Sequence, residues 1–175
     1  PAFAAAVGRA TDPWHLVLAG PDHGYLPAAQ RLAANLGLAD RVHFPGSLQG
    51  DDKRQALAAA DIFVLPSYAE GLPVAVLEAL ASARPVLITD RCNLPEVAAA
   101  DAGRGCLPEE GSLAAGLLEL MGHTDRQGLG RNARQLAERE FSWERVVDRL
   151  VAMYPPPGLP IATISSTRAA TSRAT

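Results

Sequence analysis

The sequence predicts an α/β fold, a parallel sheet flanked by helices. Short apolar runs alternate with longer helix-forming segments, at the spacing expected of βαβ units. One run, Ile62-Phe63-Val64-Leu65, is apolar without interruption, as expected for a strand buried on both faces. The composition agrees. The 175 residues are 48% hydrophobic and 20% charged, enough for one ordinary core, and heavy use of alanine favours helices.

Taken in order, the pattern predicts a helix over residues 2–9, a strand over 15–19 and a helix over 26–36. A strand over 42–44, a helix over 51–60 and the strand over 62–65 follow. Pro66 ends that strand. The next elements are a helix over 74–83 and strands over 86–89 and 105–107. Helices over 113–121, 126–141 and 143–153 close the ordered part, with Ser142 placed to cap the last of them. Pro155-Pro156-Pro157-Gly158 breaks that helix, and Ser, Thr, Ala and Arg residues follow without periodicity. The expected organisation is one domain over 1–154 and a disordered tail over 155–175. Ligands of such sheets bind outside the carboxyl ends of the strands, where Gly20, Gly46 and Glu70 are expected.

Several function classes lose ground on composition. A net charge of −3 and a pI near 5.8 argue against a nucleic-acid-binding module. No apolar run approaches the length of a membrane span, and the first residues lack a signal-peptide pattern, so the expected location is cytoplasmic. Cys92 and Cys106 are not in metal-ligand spacing. Cys92 reads as a small loop residue and Cys106 as packed. His15, His43 and His123 read as structural or solvated. His23, in the turn Gly20-Pro21-Asp22-His23-Gly24, lies nearer the expected sheet edge, where Asp22 can close an Asx-turn. Arg84, Arg91 and Arg104 read as surface charges. No cofactor or metal site is expected.

Residues 66–95 carry most of the functional signal. An apolar strand leads into a Gly/Pro turn and then a helix. Gly71 is expected to take a backbone conformation that other residues resist, and Pro73 to open the helix. The free amides of Val74 and Ala75, with the positive end of the helix dipole, favour an anion there. Glu70 precedes the turn and Glu78 lies about one and a half helical turns inside. Carboxylates accept hydrogen bonds from hydroxyls. Two acceptors flanking an anion-binding helix end fit a ligand with hydroxyls on both sides of a phosphate group, which is the layout of a sugar nucleotide. A pair of glutamates on and before an exposed helix also occurs for dipole reasons alone.

The segment Glu70-Gly-Leu-Pro-Val-Ala-Val-Leu-Glu78 resembles the Glu-x7-Glu signature of retaining glycosyltransferases of family 4, as does the run from Ala79 to Val86. The strand and glycine turn at 16–22, the segment 36–46, Asn93-Leu94-Pro95-Glu96-Val97 and Phe141-Ser142-Trp143-Glu144 are similar to further family segments, in the family order. The resemblance spans about residues 14–154. It implies a Rossmann-like domain, the second half of a GT-B fold, that binds a nucleotide-diphosphate-sugar donor. Glu70 is then the catalytic-site residue facing donor-sugar hydroxyls. Gly20, Gly71, Leu72, Pro73, Val74, Ala75 and Glu78 form the donor site, with the amides around Leu72, Val74 and Ala75 on the diphosphate and Glu78 on the ribose. No metal is implied.

The same resemblance implies a partner: an N-terminal domain that holds the acceptor, through which family enzymes often attach to membranes. A family Arg and Lys for the diphosphate precede the first helix, and no residue here matches them. The chain is therefore expected to be truncated at its start and inactive alone, with a neighbouring strand left unpaired. The helix opened by Trp143 is expected to contact the other domain or join the core. Two further readings stand: a nucleotide-sugar epimerase of the same architecture, and a non-catalytic module that binds a sugar nucleotide or docks on a separate subunit.

Overall fold

The computed structural model describes residues 1–154, and the tail expected over 155–175 lies outside the described residues. The described residues divide into two compact units, one over 1–139 and one that begins at Glu140. The first contains α1 (Ala2–Val7), β1 (Leu16–Ala19), α2 (Leu26–Asn35), β2 (Val42–Gly46), α3 (Gly50–Ala59) and β3 (Phe63–Leu65). After these come α4 (Val74–Ala81), β4 (Val86–Thr89), α5 (Glu96–Ala99), β5 (Gly103–Cys106), α6 (Glu110–Met121) and α7 (Arg126–Glu140), whose last residue opens the second unit.

Every strand pair is parallel, as the alternation of strands and helices predicts. The strands form two sheets, β1-β2 and β3-β4-β5. Among the described residues β1 pairs only with β2 and β3 only with β4, so each presents an unpaired edge. Leu87 of β4 packs into a cluster with Phe3 and Ala6 of α1, Leu117, Leu120 and Met121 of α6, and Leu129 of α7. Leu16, Val42 and Val64 border the same cluster, so both sheets rest on it. Side chains alternate along a strand, which turns Val86 and Ile88 toward the opposite face. There Val76, Ala79 and Leu80 of α4 and Val97 of α5 are buried.

Local chemistry explains where elements stop. The helix expected over 74–83 ends at Ala81 because Ala83 turns left-handed, at φ 57°, and the Arg84 amide returns to the Ala79 carbonyl at 3.0 Å. β5 begins two residues earlier than expected. Gly103 is required there, since a Cβ would lie 2.0 Å from the Val86 carbonyl oxygen of β4. A 3-10 turn (Asp90–Cys92) and α5 were not expected from the pattern. Both are too short for periodicity to reveal.

Two arginines expected at the surface are structural. Arg84 donates to the Ser82 and Ala60 carbonyls at 2.8 and 2.9 Å. Arg104 pairs with Asp101 at 2.8 Å and with Glu119 of α6. The bond to Glu119, then that to Asp101, raises its guanidinium pKa.

In the second unit α8 (Trp143–Met153) is capped by Ser142, whose hydroxyl accepts from the Arg145 amide at 3.4 Å. Arg149 pairs with Glu140. Trp143, which opens this helix, is 81% exposed. Val147, Leu150, Val151 and Met153 are exposed with it, an apolar stripe at helical spacing.

Candidate functional site

The site is built where β3 ends and α4 begins. Pro73 is buried and caps α4 from outside, at φ −77° and ψ 87°, one position earlier than a first-turn proline. Val74 and Ala75 are exposed, and their first-turn amides have no intrahelical acceptor. Leu72 is exposed beside them. No acidic side chain lies in this first turn to oppose an anion.

The expected special backbone at Gly71 is absent. Its φ is not positive, and a Cβ there would meet nothing within 4 Å. The chain turns into α4 through Pro73, so Gly71 leaves open space beside the helix end rather than making a turn that only glycine can adopt.

Glu70 is held by a lattice of short bonds. The Ser67 hydroxyl donates to Glu70 Oε1 at 2.6 Å. The Glu70 amide donates to the Arg91 carbonyl at 3.1 Å, and Asn93 Nδ2 donates to the Glu70 carbonyl at 2.9 Å. Asn93 sits in the left-handed region at φ 53°, which Asn tolerates better than most residues. Below it the buried Thr89 hydroxyl donates to the Ser67 carbonyl at 2.5 Å. Cys92 is fully buried, with Sγ 3.7 Å from the Leu65 carbonyl, so it packs the loop from beneath. The loops after β3 and β4 are therefore one bonded unit. Arg91 is exposed and lies 3.4 Å from Asp90.

Glu78 is partly exposed on α4. Its Oε1 accepts from Lys53 Nζ of α3 at 2.5 Å. Sequence reasoning missed Lys53, Ser67 and Thr89 as supports of the two glutamates. The separation of 25 positions between Lys53 and Glu78 leaves no local signal, whereas Asn93 fell inside a segment already singled out.

Gly20 belongs to the other sheet. Its amide donates to the Gly46 carbonyl at 2.9 Å, which couples it to β2 rather than to α4. Gly46, at the end of β2, has φ 77°. Asp22 closes the expected turn, with Oδ1 accepting from the Gly24 and Leu26 amides at 2.7 and 3.1 Å. The bonds from Leu26 and then Gly24 hold its carboxyl below the ordinary value. His23 is exposed in that turn. His15, just before β1, stacks on His43 of β2, with Nδ1 and Nε2 3.0 Å apart.

A cavity of about 300 Å³ opens at the carboxyl end of β4, lined by residues that include Thr89, Asp90, Asn93, Leu94 and Pro95. Neither glutamate lines it, and it meets the Glu70 loop through Asn93. Among the described residues no group of three or more His, Cys, Asp or Glu could hold a metal. No helix among them is long and apolar enough to cross a membrane.

Comparison with known proteins adds the family. The model of the family described as glycosyl transferases group 1 matches residues 2–123. An MMP alpha-(1->4)-mannosyltransferase of Mycolicibacterium hassiacum is 32% identical over 129 residues, covering 71% of this chain and 31% of the relative. The chain thus spans about a third of that relative's length. Two solved structures share the fold. Anabaena HepE in complex with UDP-glucose has a TM-score of 0.72 at 21% identity, covering 86% of this chain and 44% of that one. The C-terminal domain of a glycosyl transferase group 1 family protein, LpcC of Francisella tularensis, has a TM-score of 0.69 at 23% identity, covering 81% and 78%.

Proposed function

The chain belongs to the glycosyl transferases group 1 family, and on that footing we propose that it is the donor-binding half of a family 4 glycosyltransferase. That enzyme moves a hexose from a nucleotide-diphosphate sugar to an acceptor with retention at the anomeric carbon. The carrying observation is the amino end of α4, open at Val74 and Ala75, with Glu70 locked before it and Glu78 projecting from it. The diphosphate sits on the first-turn amides, where the helix dipole and unfilled N–H donors favour negative charge. Gly71 and Leu72 line its approach, and Gly20 borders the donor from the neighbouring sheet.

Glu78 accepts from the ribose hydroxyls. Glu70 accepts from the donor-sugar hydroxyls and supports charge that develops on the ring, an electrostatic contribution to the transition state. Holding it in place before the donor arrives saves the ordering that would otherwise oppose catalysis. The acceptor is bound by a second, N-terminal domain, and the chain alone does not turn over. The exposed apolar stripe of α8 is a surface that such a domain could cover. UDP-glucose on HepE supports the choice of a nucleotide sugar as donor class.

The test uses an enzyme that joins this chain to an acceptor-binding domain. Glu78→Ala should raise KM for the donor about ten-fold or more, a lost charged hydrogen bond. Glu70→Ala should mainly lower kcat, by about a hundred-fold, the scale of one lost electrostatic stabiliser. Proton NMR of the first product formed should show the donor's anomeric configuration. Unchanged kinetics for both variants would remove the site assignment, and an inverted product would remove retention. Acceptor-independent conversion of the donor into an epimeric nucleotide sugar, without release of free nucleotide diphosphate, would favour the epimerase reading, and tight binding without turnover the non-catalytic one.

A further inference from the structure

We infer that Lys53 is a positioning residue for the ribose-binding carboxylate, setting Glu78 before the nucleotide arrives. This rests on the assignment of Glu78 to ribose above. Lys53 stands on α3 and Glu78 on α4, and their 2.5 Å bond joins residues 25 positions apart in the sequence. Lys53 is 41% exposed and Glu78 35%, so the pair lies half-buried at the surface, outside the core.

That exposure bears on what the pair can be for. An ion pair in water contributes little to stability, because screening and the ordering of two long side chains consume most of the attraction. The same ordering has value at a binding site. A glutamate side chain loses rotamer freedom when a ligand fixes it, and a group already fixed in the bound geometry spares the ligand that loss. Lys53 engages one lone pair of Oε1. A carboxylate offers about four such sites, so Oε2 and the rest of Oε1 remain for two neighbouring hydroxyls. The arrangement is complete without displacing the lysine. Among the described residues the cationic partner of Glu78 comes from α3 and not from its own helix.

The signature is specific to hydroxyls on the ribose. The experiment is calorimetric titration of the chain with uridine, guanosine and adenosine diphosphates and with their 2′,3′-dideoxy counterparts. Wild type, Lys53→Met, Lys53→Arg and Glu78→Gln are compared, each checked for an unchanged thermal transition. Lys53→Met should weaken the best-bound ribonucleotide about three- to five-fold, the range of an exposed ion pair. It should leave the affinity for the dideoxy form unchanged, and Lys53→Arg should restore the ribonucleotide.

Equal losses for both ligands, or no loss for either, would overturn the positioning role while leaving Glu78 in place. If Glu78→Gln still prefers the ribonucleotide as strongly as wild type, the ribose assignment itself fails. Absence of binding by folded wild type would remove both.

Discussion

β1 and β4 are both four-residue apolar strands, Leu16-Val17-Leu18-Ala19 and Val86-Leu87-Ile88-Thr89, yet the protein treats them differently. Every residue of β4 is buried, whereas Val17 is 54% exposed and Leu18 46%. β4 lies between β3 and β5, with α1 and α6 on one face and α4 and α5 on the other. β1 has one paired neighbour among the described residues. Hydropathy says that a strand can be buried. What surrounds it decides whether it is. The candidate site follows the well-supported sheet, because its two loops leave β3 and β4.

The comparison is sharpest in the core. Leu87→Ala should destabilise the fold by about 3 kcal/mol, a lost transfer term plus a cavity. Leu18→Ala should cost about 0.5 kcal/mol or less, a surface value. Urea unfolding of the two variants measures both, and equal losses would break the contrast.

A second pair tests backbone approach. Gly103→Ala forces a Cβ against the Val86 carbonyl between β5 and β4 and should cost about 2 kcal/mol, the scale of overpacking. Gly105→Ala, two residues on in the same strand, meets open space and should be near neutral by the same unfolding measurement.

The smallest effect lies beside β1. Asp22 binds the Leu26 and Gly24 amides, which lower its pKa from the ordinary 3.8. Such a group contributes stability that is fully present above its unfolded pKa and fades as pH falls through the lower folded one. Wild type should therefore melt slightly above Asp22→Ala at neutral pH, and the gap should close in acid below pH 4. A gap that persists there would show that the turn bonds are not the cause.

How much of this could be read in the chain depends on the range of each interaction. The strand–helix alternation and the helix after Pro73 are local signals, and they placed the parallel strands and the amino end of α4 correctly. The Asx-turn at Asp22 and the cap at Ser142 are equally local. What escaped was long-range or irregular. Lys53 meets Glu78 across 25 residues, Thr89 meets Ser67 across 22, and Arg104 reaches Glu119 on the next helix. The open backbone at Gly71 was misjudged because glycine signals either a special φ or empty space, and sequence does not distinguish them. The exposure of β1 followed from its partners, which its own residues do not record.

The central claim is that the amino end of α4 binds a nucleotide through Glu78. Its most direct measurement is calorimetric titration of the chain with nucleoside diphosphates and their sugars, with Glu78→Ala as control. Saturable binding that this substitution abolishes, with the thermal transition unchanged, is the predicted result. A folded chain that binds none of them, or a Glu78→Ala variant that binds as tightly as wild type, would contradict it.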